Sequence, residues 1–245
     1  MMQNFEGNKV PQVDFKLHEN NQWVNTNSAE LFDNKTVVVF SLPGAFTPTC
    51  SSTHLPRYEE LASLFKANGV DSILCVSVND GFVMESWARD QGLTAVRPIA
   101  DGNGTFTEGM GMLVDKSALG FGKRSWRYSM LVKNGVVSKM FIEPDVEGDP
   151  FLVSDADTML DYIAPKAAKP EQVALFSKVG CPFCAKAKEE LDAAGVNYLE
   201  MPLADNVRQR LLSAVAGKGT SPQLFVNGAL IGDGTAITAW IKARS

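Results

Sequence analysis

The sequence predicts an α/β fold divided into two domains. From Val10 to about Ala164, short β-rich segments alternate with helical ones, which is the pattern of a layered α/β domain. A second series, in about the last 75 residues, predicts the order βαβαββα. Between the two series lies a segment with two prolines, two lysines and no large apolar residue, which is typical of an exposed connector. We therefore place the first domain at residues 1–165, the connector at 166–170 and the second domain at 171–245.

Length, composition and charge support this division and exclude several classes of protein. A chain of 245 residues is long enough for two domains with separate cores. Its 45% hydrophobic and 21% charged residues are ordinary globular values. The net charge of −5 gives no electrostatic basis for binding nucleic-acid phosphates, so we expect no nucleic-acid partner. We also expect no membrane partner and a cytoplasmic location, because the sequence shows neither a secretory signal nor an apolar run near ~18 residues.

Local signals place four strands in the first domain. Thr36–Leu42 and Ile73–Val78 are almost continuously apolar, which predicts central strands covered on both faces. Tyr128–Val132 and Val136–Ile142 predict a hairpin, because the Asn-Gly pair at 134–135 tolerates the positive φ angles of a tight turn.

A cysteine lies where the first of these strands gives way to a helix. The segment PGAFTPTC, residues 43–50, precedes a helical stretch that we expect Pro56 to interrupt. Thr47 suits the N-cap and Pro48 the first helical position. Cys50 then lies among backbone N–H groups without helical partners, at the positive end of the helix dipole, and both favour a thiolate. The Thr47 hydroxyl can also donate to the sulfur. A lone cysteine after a strand is otherwise more often a core residue.

This motif, followed by SSTHLP, closely resembles the active-site segment of the peroxiredoxins, in particular the peroxiredoxin-5-like branch. The resemblance covers roughly Val10–Ile163 and implies a thioredoxin fold. It assigns Cys50 as the cysteine that attacks hydroperoxides and becomes a sulfenic acid. It also implies that Thr47 orients the thiolate and the peroxide, that Pro43 shields the site, and that Arg127 binds both reactants.

The other candidates in the first domain have weaker signals. Arg124, three residues before Arg127, is a second choice for the arginine. Cys75 lies inside an apolar run, and we expect it to be structural. His18 and His54 have no carboxylate-rich or cysteine pattern beside them, so we predict no metal site and no bound cofactor.

The second domain opens with a dithiol, CPFC at residues 181–184, at a predicted strand-to-helix turn. With Pro182 at the first helical position, Cys181 stays exposed while Cys184 turns inward, close enough for a readily broken disulfide. Lys178 and Lys186 add positive potential. Zinc binding is the alternative for this spacing, but zinc needs further cysteine or histidine ligands that this half of the sequence lacks.

The dithiol, with Thr-Ser-Pro at 220–222, resembles a glutaredoxin across residues 171–245. The resemblance implies a second thioredoxin fold, glutathione as the reducing co-substrate, and a cis peptide bond before Pro222. The implied glutathione contacts are Lys178, Phe183, Ser221 and Pro222. Two positions depart from the family. Where the family has Thr-Val-Pro, this chain has Thr-Ser-Pro at 220–222. Where the family has a Gly-Gly turn followed by Ser/Cys-Asp, which holds the γ-glutamyl end of glutathione, this chain has Gly-Asp-Gly-Thr at 232–235, and Thr235 with nearby N–H groups would take over that contact.

The two halves together predict a glutathione-dependent thiol peroxidase that reduces hydrogen peroxide and organic hydroperoxides. We expect Cys75 to be buried, so a thiol from outside the first domain must reduce the sulfenic acid. Glutathione and Cys181 supply that route, with glutathione reductase as an indirect partner. Fusions of this kind occur in bacteria, and the resemblance implies a homo-oligomer, a dimer or tetramer.

Two alternatives remain open from the sequence. The first alternative to a peroxidase is a peroxide sensor or holdase that relays disulfides to partner proteins. The second is a disulfide reductase whose first domain serves only for docking. The eight residues 164–171 around the connector reach only ~25 Å, which makes delivery to a neighbouring subunit a second route.

Overall fold

The structure is a computed structural model that describes residues 2–146 and 148–244. It divides into two compact units, the first ending at Lys169 and the second starting at Pro170. Each unit has its own hydrophobic core, as separate domains do. Within the two described ranges, no helix combines the length and the apolar character needed to cross a membrane.

The first unit is built around a five-stranded mixed sheet. The strands of this unit, in chain order, are β1 (Asp14–Glu19), β2 (Gln22–Asn27), β3 (Thr36–Ser41), β4 (Ser72–Ser77), β5 (Val96–Ala100), β6 (Leu113–Asp115), β7 (Lys123–Ser125), β8 (Tyr128–Lys133) and β9 (Val136–Ile142). The order in the sheet is β5-β4-β3-β8-β9, while β1-β2 and β6-β7 form separate hairpins. Every residue of β3 and β4 after the first is buried, and both strands are interior, which confirms the two predicted central strands.

The predicted hairpin is present between β8 and β9. Asn134 and Gly135 have φ angles of 46° and 74°, which are the positive values that a two-residue turn of this kind requires. Lys133 and Val136 pair across it.

Short helices cover the sheet of the first unit. They are α1 (Ser28–Phe32), α2 (Leu55–Glu60), α3 (Ala62–Ala67), α4 (Gly81–Asp90), α5 (Thr105–Gly109) and α6 (Ala156–Ile163), with a π turn at Cys50–His54 and a 3₁₀ turn at Ser117–Leu119. The Tyr58 ring of α2 stacks on Phe40 of β3, with centroids 4.1 Å apart. This contact fixes the helical segment after Cys50 to the central strand.

The second unit has the predicted βαβαββα order. Its elements are β10 (Val173–Ser177), α7 (Pro182–Ala193), β11 (Leu199–Pro202), α8 (Asn206–Ala216), β12 (Gln223–Val226), β13 (Ala229–Gly232) and α9 (Gly234–Lys242). The strands form one sheet in the order β11-β10-β12-β13. Both units therefore have the mixed α/β architecture of the predicted thioredoxin folds.

Ion pairs hold both ends of the segment that joins the units. Lys169 pairs through its Nζ atom with Asp157 at 3.2 Å and Asp161 at 2.8 Å, and both carboxylates belong to α6. On the other side, Glu171 pairs with Arg244 at 2.7 Å. Pro170 lies between the two anchored residues, so the length of chain without an anchor is shorter than the connector expected at residues 166–170.

Candidate active site

Cys50 lies at the start of a helical segment that is wider than an ordinary α-helix. Helical backbone begins at Pro48, directly after Thr47, as the cap residues predict. The carbonyl of Cys50 accepts the N–H of Leu55, a π-type bond, and the side chain of Cys50 is fully buried. Pro56 has no N–H for an α-type bond and its ring crowds the preceding turn, which favours this widening. The interruption predicted at Pro56 is wrong, because Pro56 lies in the first turn of α2.

The topology of the sheet brings Arg127 to this cysteine. Strand β8 runs antiparallel to β3, with Ser41 paired to Tyr128, so the start of β8 lies beside the end of β3. Arg127 immediately precedes β8, and Cys50 follows β3 through a short loop. The Nη2 atom of Arg127 donates to Cys50 Sγ at 3.6 Å, and Arg127 is only 1% exposed.

Three groups occupy the donors of the Arg127 guanidinium. Besides the sulfur, Asp149 accepts from Nη2 at 2.7 and 2.5 Å and from Nε at 3.2 Å. His54 Nδ1 lies 3.0 Å from Nη1. Burial lowers the pKa of Arg127, but the nearby Cys50 sulfur and the Asp149 carboxylate outweigh it, and the pKa is raised. A buried, permanently charged arginine therefore faces the sulfur.

His54 is a site residue that the sequence analysis set aside. Its Nε2 atom lies 3.1 Å from the carbonyl oxygen of Ser154, which can only accept, so Nε2 carries the proton and Nδ1 accepts from Arg127. Burial, then the charge of Arg127, lower the pKa of His54 to about 3. Its position four residues after Cys50 is the signal that could have found it, because such residues share a helix face.

A buried carboxylate shapes the loop that reaches over this cluster. Glu143 is 1% exposed and accepts the N–H groups of Leu152, Val153 and Ser154 at 2.8–2.9 Å, together with the Ser154 hydroxyl at 2.7 Å. These bonds fix the Ser154 carbonyl towards His54. The same loop carries Asp149 and therefore determines both partners that orient Arg127.

The remaining predicted residues of the first unit have definite places. Thr47 gives its hydroxyl proton to the carbonyl of Gly44 at 2.8 Å, so in this structure that proton does not go to the sulfur as we expected. Pro43 is half-buried at the start of the loop before Cys50. Arg124 donates to the carbonyl of Val78 and is not part of the cluster around Cys50. Cys75 is fully buried in β4, and burial raises its pKa.

The neutral buried imidazole predicts an acid-sensitive first unit. An unfolded His54 takes up a proton near its ordinary pKa of 6.5, whereas the folded one does so only at about 3. The unfolded state therefore gains a proton first, and stability is lost as the pH falls from 6.5 towards 3. Between pH 7 and 5 we expect the native protein to lose about 2 kcal/mol more than His54→Asn.

Urea unfolding followed by tryptophan fluorescence measures this difference, since Trp87 is fully buried in the first unit. The carboxylates are the same in both proteins, so they cancel in the comparison. Equal pH slopes would contradict a neutral, buried His54.

In the second unit, the dithiol lies at the start of α7. Cys181 is the N-cap and Pro182 the first helical residue, as predicted. The N–H of Cys184 donates to Cys181 Sγ at 3.3 Å, and the Cys181 thiol points to the Ser221 carbonyl at 3.9 Å. Hydrogen bonds from the Cys184 thiol and from backbone N–H groups lower the pKa of Cys181. Burial raises the pKa of Cys184, so Cys181 is the thiol of the pair that ionises more readily.

A groove of about 660 Å³ runs beside the dithiol. Phe183, Ser221 and Pro222 line it, together with Lys186, Glu190, Thr220, Asp233, Gly234, Thr235 and Lys242. The Ser221–Pro222 peptide bond is cis, as the resemblance implies. Lys178 lines a different depression, of about 400 Å³, with Cys181, Cys184, Lys188 and Glu200. The structure thus brings three of the four predicted contact residues to one groove and places Lys178 on another side of the sulfur.

The family comparisons match the two units to two different families. The Redoxin family model matches residues 5–160, and the Glutaredoxin model matches residues 173–231. The chain is 60% identical to the hybrid peroxiredoxin hyPrx5 of Haemophilus influenzae over 231 residues, covering 94% of this chain and 96% of that protein. It is 52% identical to peroxiredoxin sll1621 of Synechocystis over 179 residues, covering 66% and 95%. Among solved structures, reduced Prx3 of Vibrio vulnificus in complex with hydrogen peroxide has a TM-score of 0.61 at 41% identity, covering 64% of this chain and 98% of that one.

Proposed function

The chain belongs to the redoxin family, as a peroxiredoxin with a fused glutaredoxin domain, and on this premise we propose that it is a glutathione-dependent peroxidase for hydrogen peroxide and organic hydroperoxides. One observation carries the proposal: Cys50, paired with Arg127, and Cys181, whose pKa is lowered, lie on the same polypeptide. Cys75, buried in β4 with a raised pKa, is poorly suited to resolve the oxidised Cys50, which favours an external thiol.

The proposed cycle uses two molecules of glutathione. The Cys50 thiolate attacks one peroxide oxygen and the O–O bond breaks. The departing alkoxide or hydroxide leaves as alcohol or water with the peroxide proton, and the Cys50 sulfenate takes a proton from water to become a sulfenic acid. One glutathione forms a mixed disulfide with Cys50 and releases water. Cys181 attacks the mixed disulfide, takes over the glutathionyl group and frees the Cys50 thiolate. A second glutathione then attacks the glutathionyl sulfur on Cys181, which frees Cys181 and forms glutathione disulfide. Peroxide is thus reduced at the expense of two thiols, and glutathione reductase regenerates them.

The predicted residues other than Cys184 have the following roles in this cycle. Arg127 stabilises the thiolate and the charge that develops on the departing oxygen, and Thr47 and Pro43 orient and shield the reactants. In the second unit, Ser221 offers its backbone to the extended tripeptide, while Phe183 and Pro222 supply apolar contact. Lys178 contributes positive potential near Cys181.

A steady-state assay with peroxide, glutathione, glutathione reductase and NADPH tests the function. We expect sustained NADPH consumption that depends on both peroxide and this protein. Oxidation of Cys50 without glutathione-driven turnover would favour the sensor or holdase. A protein that reduces disulfides but consumes no peroxide would favour a first domain that only docks.

A further inference from the structure

The Arg127 guanidinium needs a partner that fixes its rotation. A guanidinium is a planar fork with its N–H donors in fixed directions, so one firmly held edge determines where the others point. Here Nη2 points at Cys50 Sγ, Nη1 at His54, and Nε with Nη2 at Asp149. A rotation of the guanidinium within its own plane would move Nη2 away from the sulfur.

The two partners of Arg127 differ in how firmly they are held. The Asp149 side chain is 43% exposed and lies on the loop after Glu143, so water competes for its carboxylate. His54 is fully buried, and its ring packs against Phe40 at 4.8 Å and Phe151 at 4.9 Å between centroids. Asp149 also accepts from Nη2, the nitrogen that donates to the sulfur, whereas His54 accepts from Nη1, the other terminal nitrogen.

We propose that His54 is a positioning residue for the reaction of Cys50, and that its Nδ1 lone pair holds Arg127 in the rotation that aims Nη2 at the sulfur and at the oxygen leaving it. The inference rests on the peroxidase function proposed above. His54 exchanges no proton in the reaction, because its Nε2–H donates to the Ser154 carbonyl and its Nδ1 accepts from Arg127.

The Ser154 carbonyl is what makes a histidine suitable here. Its oxygen accepts two hydrogen bonds, one from His54 Nε2 at 3.1 Å and one from the Tyr58 hydroxyl at 3.0 Å. An acceptor in this place leaves Nδ1 without a proton and directed at Arg127. Glu143, which folds the loop around Ser154, therefore acts on Arg127 through His54.

A double-mutant cycle on the full chain tests whether His54 acts through Arg127. The measurement is the second-order rate constant for oxidation of Cys50 by hydrogen peroxide without glutathione, in the native protein, His54→Phe, Arg127→Gln and the double variant. We expect His54→Phe to lower the rate constant about 10- to 100-fold, since small misplacements of catalytic groups cost this much. In the Arg127→Gln background, the same change should alter it less than about twofold. Equal losses in both backgrounds would overturn the inference.

Two further variants keep the test decisive if His54→Phe does not fold. Asn places an acceptor near the position of Nδ1, and Gln places its amide near that of Nε2. We expect His54→Asn to react about tenfold faster than His54→Gln, and equal rates would contradict the inference. Disulfide reduction by Cys181 reports on the second unit and should stay unchanged. If the native protein does not react with peroxide, the proposed function fails; additive losses in a reactive protein contradict only the role of His54.

Discussion

Replacing Cys50 with serine is expected to reduce peroxide consumption to the uncatalysed rate. A serine hydroxyl is not ionised near neutral pH, so neither Arg127 nor the helix N-terminus has a thiolate to stabilise. The sulfur is also the atom that accepts oxygen from the peroxide, and no other step of the cycle can begin without it. The coupled assay with glutathione, glutathione reductase and NADPH measures the loss.

Cys75→Ala is the matched control, because Cys75 is a buried thiol of the same unit and lies within the strand β4. We expect this variant to keep peroxide turnover. The Cys50→Ser protein should also keep glutathione-dependent reduction of a small disulfide, which needs only the second unit. Peroxide turnover that survives in Cys50→Ser would exclude Cys50 as the reacting cysteine.

Replacing Cys181 with serine is expected to lower glutathione-driven turnover at least about 100-fold while leaving the first oxidation of Cys50 intact. Hydrogen bonds from the Cys184 thiol and from backbone N–H groups favour the Cys181 thiolate, and serine supplies no such nucleophile. One equivalent of peroxide per chain should still be consumed in a rapid first phase. Stopped-flow measurement of peroxide loss separates this phase from the steady state.

Cys184→Ser is the control for the second cysteine. In the proposed cycle, the glutathionyl group on Cys181 is removed by a second glutathione, so Cys184 forms no covalent bond and its serine variant should retain turnover. Undiminished steady-state turnover in Cys181→Ser would mean that glutathione reduces Cys50 without the dithiol. Loss of turnover in Cys184→Ser alone would instead indicate a disulfide between the two cysteines.

Local sequence patterns were sufficient for most of the fold. The apolar runs of β3 and β4, the Asn134-Gly135 turn and the cap residues around Cys181 each depend on neighbouring residues, and the structure confirms them. The break between α2 and α3 was harder to predict. It falls at Leu61, which leaves the helical range, whereas Pro56 fits in the first turn of α2.

The candidate site depended more on contacts between distant residues. Arg127 was found through the family resemblance, and the antiparallel pairing of β3 and β8 explains why it meets Cys50. His54 contacts Arg127 across 73 residues of sequence, and Asp149 lies on a loop without periodic pattern. Such buried polar contacts are determined by tertiary packing. The spacing of His54 from Cys50 is a local signal, but it does not predict the contact of His54 with Arg127.

The ion pairs of Lys169 and Glu171 have a consequence for the chain that joins the two units. With Pro170 between them, the α-carbons of these two residues are at most about 7 Å apart, so the segment between the two anchored residues has little slack. In the proposed cycle, a long flexible tether therefore does not set the effective concentration of Cys181 at an oxidised cysteine.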